Sequence, residues 1–139
     1  MSRVSLSRQV HFSSGHRYFN PEFSEEKNMA VFGKCYSPHG HGHNYTLQAE
    51  FSGPLDSKTG MIVNLVEIDA GLKKITSIFD HKFINQDVPE FRNKVPTTEN
   101  LALLIFDKSK SMFADKGIEL VSIRLYESED LWVDVRGDC

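Results

Sequence analysis

The chain has 139 residues, of which 40% are hydrophobic, and this size is sufficient for one domain, 1–139, with its own core. Acidic and basic residues are interspersed and the formal net charge is −3, which gives no reason to expect nucleic acid or an anionic membrane as a partner. There are only two cysteines, Cys35 and Cys139, and no apolar run is long enough to span a membrane or to form a signal peptide. We therefore expect a protein of a reducing compartment, the cytoplasm.

The first predicted element is a strand near the N-terminus in which hydrophobic and polar residues alternate. One side of this strand carries Val4, Leu6, Val10, Phe12, Ser14 and His16. His16 therefore lies at the end of the strand, on its apolar side. Residues 17–40 are rich in Asn, Pro, Glu and Gly and form a predicted long loop, which in a compact domain is usually functional.

The second predicted strand begins in the run Gly40-His41-Gly-His43. Its apolar side carries His41, His43, Tyr45, Leu47, Ala49 and Phe51. Two imidazoles on an apolar strand face cost free energy unless something uses them, and a divalent metal is the simplest user. If the two strands pair antiparallel, His16 lies opposite these two histidines. Three histidines with an open fourth position are typical of a catalytic zinc site.

Other interpretations of the histidines are open at this point. A His-x-His pair alone is as consistent with a polar strand end as with a metal site, and it is the phase of His16 that favours the metal. His39 lies in a turn rich in Gly and Pro, and His11 lies on the other face from His16, so both are weaker candidates.

Two helices and two strands complete the predicted order ββααββ. Asn64 followed by Glu67 predicts a helix cap, and the apolar stripe of this helix carries Leu65, Ile68, Leu72, Ile75 and Phe79. The second helix begins after Pro96 with Thr97 or Thr98 as its N-cap and stops near Gly117. Its inner side carries Leu101, Leu104, Ile105 and Met112. Strands at 121–127 and 131–135 follow, which predicts an α+β fold with a four-stranded antiparallel sheet and both helices on one face.

The opposite face of this sheet bears on the state of assembly. Apolar or functional residues occur on both sides of the strands, so a free monomer would expose a hydrophobic surface to water. Pairing of edge strands between subunits would cover that surface and close a barrel. We therefore expect a homo-oligomer.

Three further features have possible catalytic roles. Cys35 follows Lys34, an electropositive setting that favours the thiolate, although an inert loop cysteine is the alternative. The pair Asp80-His81 lies where the first predicted helix ends, and an acid beside a histidine can orient its imidazole, but such pairs are common. Glu127 ends an apolar strand face and is either functional or a surface carboxylate at a strand end.

Several short motifs in order along the chain carry a family resemblance. They are Phe12-Ser-Ser-Gly-His16-Arg, Val31-Phe-Gly-Lys-Cys35, Gly40-His41-Gly-His43-Asn44-Tyr, Thr59-Gly-Met61-Ile-Val-Asn64-Leu, Asp80-His81-Lys, Asp87-Val-Pro89, Thr97-Thr98-Glu99-Asn100 and Tyr126-Glu127. The chain resembles the eukaryotic 6-pyruvoyl-tetrahydropterin synthases over nearly all of its length. The resemblance implies the tunnelling fold, a homohexamer built as a dimer of trimers, each trimer closing a β-barrel, with active sites at subunit interfaces.

Spacing separates this family from close relatives. Five residues, 36–40, lie between Cys35 and His41, as in the biopterin enzymes, whereas the bacterial 6-carboxytetrahydropterin synthases typically have three. The presence of Cys35 also excludes relatives that use another base. One departure is His39, since an Asn is usual at that place in the family.

The resemblance implies a zinc-dependent lyase of tetrahydrobiopterin biosynthesis. Its substrate would be 7,8-dihydroneopterin triphosphate, which loses inorganic triphosphate and rearranges to 6-pyruvoyl-tetrahydropterin. Zinc on His16, His41 and His43 would coordinate the side-chain hydroxyls of this substrate. The thiolate of Cys35 would take a carbon-bound proton, with Asp80 and His81 keeping the thiolate charged and moving protons.

The resemblance also assigns the residues that bind the substrate. Thr98 and Glu99 would bind the pterin, with the Glu99 carboxylate accepting paired hydrogen bonds from its amino-pyrimidine edge. Glu127 would be a further relay acid. Candidates for the triphosphate are Lys34, Arg17 and Lys82, with Mg²⁺ carried by the substrate. The alternatives are a 6-carboxytetrahydropterin synthase, a zinc-hydroxide hydrolase that does not need the thiol, and a non-catalytic metal-binding module.

Overall fold

A five-stranded sheet lies at the centre of the protein. The computed structural model describes residues 2–137, so Cys139 lies outside the described residues. The strands are β1 (Ser5–His16), β2 (His41–Ser52), β3 (Lys82–Phe83), β4 (Glu119–Ser128) and β5 (Leu131–Arg136). Their order in the sheet is β3-β1-β2-β4-β5, and every neighbouring pair is antiparallel except β1 with β3.

Helices connect these strands, and the two longest of them cover one face of the sheet. They are α1 (Glu25–Phe32), α2 (Leu65–Ser77), α3 (Ile84–Asp87) and α4 (Thr98–Met112), with short 3₁₀ turns at Gly33–Tyr36 and Pro89–Phe91. Both predicted caps are confirmed: the Asn64 side chain accepts a hydrogen bond from the Val66 amide, and the Thr97 side chain accepts one from the Asn100 amide. In the described part of the chain, no helix combines the length and the apolar character needed to cross a membrane.

The core lies between α2, α4 and the inner face of the sheet. The inner face carries the buried side chains Phe12, Tyr45, Leu47, Ala49, Phe51, Ile123 and Leu125. Two aromatic contacts join the layers, because the ring centres of Phe12 and Phe79 are 5.9 Å apart and those of Phe51 and Phe113 are 4.9 Å apart. Ile68, Leu72 and Ile75 of the α2 stripe are buried as predicted, whereas Leu65 is exposed.

The outer face of the sheet is mainly polar, so the expected hydrophobic surface is wrong. Across β1 and β2 its side chains pair by hydrogen bonds, Gln9 with Gln48 at 3.0 Å and Ser13 with Asn44 at 2.6 Å. Across β4 and β5, Arg124 pairs with Asp134 at 2.7 Å. The pairing of β4 with β5 places Ile123 opposite Val135 and Leu125 opposite Val133, and all four pack in or against the core, which leaves mainly polar residues on the outer face.

The predicted four-stranded antiparallel sheet is also wrong in one respect. After α2 the chain returns to the edge of β1, where the His81 amide donates to the Ser13 carbonyl at 2.6 Å and Lys82 and Phe83 form the parallel strand β3. A two-residue strand is too short for alternation to appear in the sequence. The result is a mixed sheet of five strands, within the predicted α+β class.

The predicted long loop at 17–40 contains α1. Ser24 caps this helix by accepting a hydrogen bond from the Lys27 amide, and Glu25 and Glu26 occupy its first turn. Its buried residue is the polar Asn28, whose side chain exchanges hydrogen bonds with the Asn20 backbone at 2.9 and 3.1 Å. Because Met29 and Val31 are exposed, α1 has no apolar stripe, and hydrophobic periodicity could not predict it.

Candidate metal centre and active site

The pairing of β1 with β2 brings three histidines together. The two strands are antiparallel in a register that pairs His16 with His41 and Ser14 with His43. All three imidazoles lie on the inner face, and one nitrogen from each lies within 4.8 Å of the other two. The predicted arrangement of His16, His41 and His43 is confirmed. Neither His11 nor His39 belongs to this cluster, the one group of potential metal ligands found among residues 2–137.

The distance between two of the histidine donor atoms fits a tetrahedral ion. His16 Nε2 and His41 Nε2 are 3.2 Å apart. Two nitrogen ligands of a tetrahedral zinc, each about 2.0–2.1 Å from the metal, are separated by about 3.3 Å. His43 Nε2 is buried and has no hydrogen-bond partner among the described residues. A buried nitrogen without a partner is costly in an empty site, and a metal would satisfy it.

The environment of His16 keeps its imidazole neutral. Its side chain is fully buried, and this burial, together with the neighbouring His41 and His43, lowers the pKa of His16 to about 4. Burial also lowers the pKa of His43, against the opposing charge of Glu127. Metal binds the neutral form of histidine, so both imidazoles are in the form that coordinates at neutral pH.

Two tyrosines that the sequence analysis did not single out border the histidines. The Tyr45 hydroxyl lies 3.1 Å from His16 Nδ1, and the ring of Tyr18 is 4.9 Å from the ring of His16, centre to centre. Burial raises the pKa of Tyr18 to about 12, so its hydroxyl stays protonated. The sequence did contain a signal for both tyrosines. Tyr18 and Tyr45 each follow a metal-site histidine by two residues, the spacing of side chains on one side of a strand.

Glu127 lies beside the histidine cluster. The pairing of β2 with β4 brings its Oε1 to 3.2 Å from His43 Nε2, although the two atoms are not in line for a hydrogen bond. Its other oxygen, Oε2, accepts a hydrogen bond from the Thr98 hydroxyl and lies 3.5 Å from the Tyr18 hydroxyl. Glu127 and Thr98 thus occupy one site, whereas Glu99 is exposed and contacts neither through a hydrogen bond.

Cys35 lies in the 3₁₀ turn Gly33–Tyr36 and is half-buried. The Tyr18 amide donates a 2.8 Å hydrogen bond to the Cys35 carbonyl and holds the turn against the end of β1. Burial, and then the Glu127 carboxylate, raise the pKa of the Cys35 thiol. The expectation that Lys34 favours the thiolate is therefore wrong within a single chain, since Lys34 is exposed and forms no ion pair with any described residue.

Asp80 and His81 form a pair at the edge of the sheet. The Asp80 carboxylate accepts a 2.9 Å hydrogen bond from the Ser13 amide and lies 3.0 Å from His81 Nδ1. The Ser13 amide, with a smaller effect of His81, holds the pKa of Asp80 below its usual range. His81 has a positive φ of 59° and its side chain is 83% exposed. No hydrogen bond joins it to Cys35 in the described part of the chain.

Comparisons with known proteins identify the family of this chain. The family model of the 6-pyruvoyl tetrahydropterin synthases matches residues 5–138. The chain is 38% identical to the 6-pyruvoyl tetrahydrobiopterin synthase of Drosophila melanogaster, over 95% of this chain and 79% of that protein. It is 36% identical to the Homo sapiens protein of the same name, over 98% of this chain and 93% of that protein.

The fold agrees as well. The solved structure of Caenorhabditis elegans 6-pyruvoyl tetrahydropterin synthase superposes with a TM-score of 0.93 at 30% identity, covering 99% of this chain and 98% of that chain. The resemblance predicted from the motifs is confirmed, and the chain belongs to the 6-pyruvoyl tetrahydropterin synthase family.

Proposed function

We propose that this chain converts 7,8-dihydroneopterin triphosphate to 6-pyruvoyl-tetrahydropterin with release of inorganic triphosphate, the lyase reaction of tetrahydrobiopterin biosynthesis. Membership of the synthase family supports this activity. The observation that carries the proposal is the cluster of His16, His41 and His43 at the joined ends of β1 and β2, with Glu127 beside it. A hydrolase would need only a metal-bound water, whereas this site also presents a cysteine.

The metal at this centre is zinc in our proposal. His16, His41 and His43 would hold it, because a set of three imidazoles with room for a further ligand is the donor set of catalytic zinc. When bound, zinc would polarise the side-chain hydroxyls of the substrate and make the adjacent carbon-bound proton more acidic. The Tyr45 hydroxyl, 3.1 Å from His16 Nδ1, would hold that imidazole in the orientation for coordination.

Cys35 is the proposed general base. It would remove the carbon-bound proton of the substrate. To do so, the thiol must first lose its own proton and become a thiolate. Burial and Glu127 oppose that loss within one chain, so a cation from elsewhere has to favour the thiolate. The exposed pair Asp80-His81 has the chemistry for this task but has no hydrogen bond to Cys35 of its own chain. We therefore assign it to the Cys35 of a neighbouring subunit.

An active site shared between subunits requires an oligomer, and we propose a homohexamer made of two trimers. The sheet supports strand pairing between subunits, because β3 covers only residues 14–15 of β1 and β5 forms the other edge. Pairing at those edges would close the β-barrel expected from the resemblance. It would also bring residues 80–81, at one sheet edge, next to another subunit.

The remaining residues would bind the substrate. Thr98 would fix Glu127 near the metal, where this carboxylate can relay protons. Glu99 is proposed to accept hydrogen bonds from the pterin ring, and its exposed position at the start of α4 leaves it free to do so. Mg²⁺ would accompany the triphosphate as part of the substrate complex.

Product analysis tests this function. Purified protein loaded with zinc is incubated with 7,8-dihydroneopterin triphosphate, and released triphosphate and pterin are identified by ion chromatography and mass spectrometry. We expect equal amounts of triphosphate and 6-pyruvoyl-tetrahydropterin. A 6-carboxylated pterin would assign the chain to the related synthases that shorten the side chain. Release of single phosphates with an intact pterin side chain would indicate a zinc hydrolase.

A further inference from the structure

Tyr18 contacts three separate parts of the candidate site. Its amide donates a 2.8 Å hydrogen bond to the carbonyl of Cys35, in the 3₁₀ turn. Its ring lies against the ring of His16, with 4.9 Å between the two ring centres. Its hydroxyl donates a long hydrogen bond, 3.5 Å, to Glu127 Oε2 near the end of β4. One residue therefore touches a proposed metal ligand, the turn of the proposed base and the proposed relay acid.

The ring of Tyr18 is restricted by its neighbours. Besides His16 it contacts Phe32 of α1, with 5.9 Å between the ring centres and an angle of 82° between the ring planes. The backbone of Tyr18 is held by its hydrogen bond to the Cys35 carbonyl. A hydroxyl on a ring that is already restricted loses little conformational entropy when it donates to a carboxylate.

The two carboxylate oxygens of Glu127 have different surroundings. Oε2 accepts hydrogen bonds from the hydroxyls of Thr98 and Tyr18. Oε1 lies 3.2 Å from His43 Nε2, and no hydrogen bond joins the two atoms. The last torsion angle of a glutamate has no sharp preferred value, so hydrogen bonds decide how the carboxylate plane is oriented. Two donors on Oε2, one from α4 and one from the segment after β1, therefore leave Oε1 facing His43.

We propose that Tyr18 is a positioning residue that, together with Thr98, holds the Glu127 carboxylate with its Oε1 toward the histidine cluster. This inference rests on the proposed function, in which Glu127 relays protons, and adds a residue that acts through Glu127. Tyr18 is not itself the proton carrier. Loss of its hydroxyl should lower kcat, because the relay acid is less well oriented, and should change KM little.

Tyr18→Phe tests this role because it removes the hydroxyl and keeps the ring. In zinc-loaded protein acting on 7,8-dihydroneopterin triphosphate, we expect kcat to fall roughly tenfold, as for the weaker hydrogen bonds to charged groups, with KM within about twofold of wild type. The zinc content should not change. In the Glu127→Ala background, Tyr18→Phe should have no further effect on kcat, because the group that Tyr18 positions is absent.

A second measurement needs neither zinc nor substrate. In urea denaturation of the metal-free protein, Tyr18→Phe should have a lower midpoint than wild type, whereas Glu127→Ala and the double variant should have the same midpoint. Tyr126→Phe is the matched control, because its hydroxyl lies on the outer face of the sheet and accepts a 3.4 Å hydrogen bond from Arg124. It should leave kcat and KM unchanged and shift the urea midpoint equally with and without Glu127.

Three results would overturn the proposal. The first is an unchanged kcat in Tyr18→Phe. The second is an equal effect of Tyr18→Phe with and without Glu127, on kcat or on the urea midpoint, which would mean that Tyr18 acts through another group. The third is loss of zinc or of the folded state in Tyr18→Phe, which would assign the hydroxyl to the metal site or to the fold. Wild-type protein that releases no triphosphate contradicts the proposed function instead, and the urea measurements still decide whether Tyr18 acts through Glu127.

Discussion

His43 Nε2 and Glu127 Oε1 lie 3.2 Å apart where β2 and β4 run side by side, without forming a hydrogen bond. The nitrogen is left for another partner, and the carboxylate is held instead by the Thr98 hydroxyl. A half-buried acid thus lies next to a histidine nitrogen that has no hydrogen-bond partner among the described residues. The negative charge of Glu127 affects two pKa values in the site. Burial lowers the pKa of His43, and Glu127 partly offsets that shift. Burial raises the pKa of Cys35, and Glu127 raises it further.

Removal of any one of the three histidines should abolish tight metal binding. We expect His16→Ala, His41→Ala and His43→Ala to retain well below one zinc per chain after dialysis, because a zinc site with two protein ligands is weak. Elemental analysis of the purified variants measures this. His39→Ala is the matched control and should keep its zinc. Stoichiometric zinc in His16→Ala would disprove the proposed ligand set.

The metal-free protein should lose stability as the pH falls from about 6.5 to about 4. The pKa of His16 is lowered in the folded chain from 6.5 to about 4, so the unfolded chain binds a proton across this range that the folded chain does not. The free energy of unfolding should therefore fall with falling pH, by about 3 kcal/mol at most from this group. Urea denaturation at a series of pH values measures it.

The control for this pH dependence is His11→Asn, an exposed histidine on the outer face of the sheet, which should keep the wild-type slope. His16→Asn should flatten the slope between pH 6.5 and pH 4. An identical slope in wild type and His16→Asn would mean that other groups determine the acid sensitivity.

Cys35→Ala should separate catalysis from binding. General-base removal typically costs about 100-fold to 10,000-fold in rate, so this variant should lose most turnover while keeping its zinc and its affinity for dihydroneopterin. Steady-state kinetics, zinc content and calorimetry together measure the three quantities. Full activity of Cys35→Ala would show that another group abstracts the proton and would favour metal-hydroxide chemistry.

Two inactive variants should complement each other if the site is shared between subunits. Cys35→Ala and His81→Ala carry their defects in different parts of the site, so mixed oligomers would contain some sites with both residues intact. For random mixing at equal amounts, roughly a quarter of the sites would be complete. Co-expression with two affinity tags, followed by purification on both, yields the mixed particles for assay.

The complementation result distinguishes the two possible geometries. If Cys35 and His81 of one chain acted together, every site in the mixed particle would lack one of them and activity would not recover. Recovery would support the assignment of Asp80 and His81 to a neighbouring subunit. A monomeric mass by light scattering in active wild-type protein would exclude the shared site altogether.

The metal ligands could be predicted from the sequence because they depend on two local rules. Alternation along each strand placed His16, His41 and His43 on apolar faces, and antiparallel pairing then determined that they meet. Tyr18 and Tyr45 have the same alternation as these histidines. A tyrosine on an apolar face is a common core residue, however, so the sequence gave no reason to single out either one.

Other parts of the site depended on tertiary structure that no local pattern records. The approach of Glu127 to His43 depends on the pairing of β2 with β4, and these two strands are widely separated in sequence by α2, α3 and α4. The turn that holds Cys35 depends on α1, which is organised around the buried Asn28 and has no apolar stripe. The direction of the shift in the Cys35 pKa was predicted wrongly for the same reason. Lys34, its neighbour in sequence, is exposed, whereas Glu127, which is far away in sequence, lies close in space and raises the pKa of the thiol.

The most direct test of the account is to titrate zinc into metal-free protein while following triphosphate release from 7,8-dihydroneopterin triphosphate. Because the three histidines hold the proposed metal, the rate should rise from near zero and level off at one zinc per chain. His43→Ala should show no such rise under the same conditions. Full triphosphate release by the zinc-free protein, or none by the zinc-saturated protein, would contradict the assignment of this site.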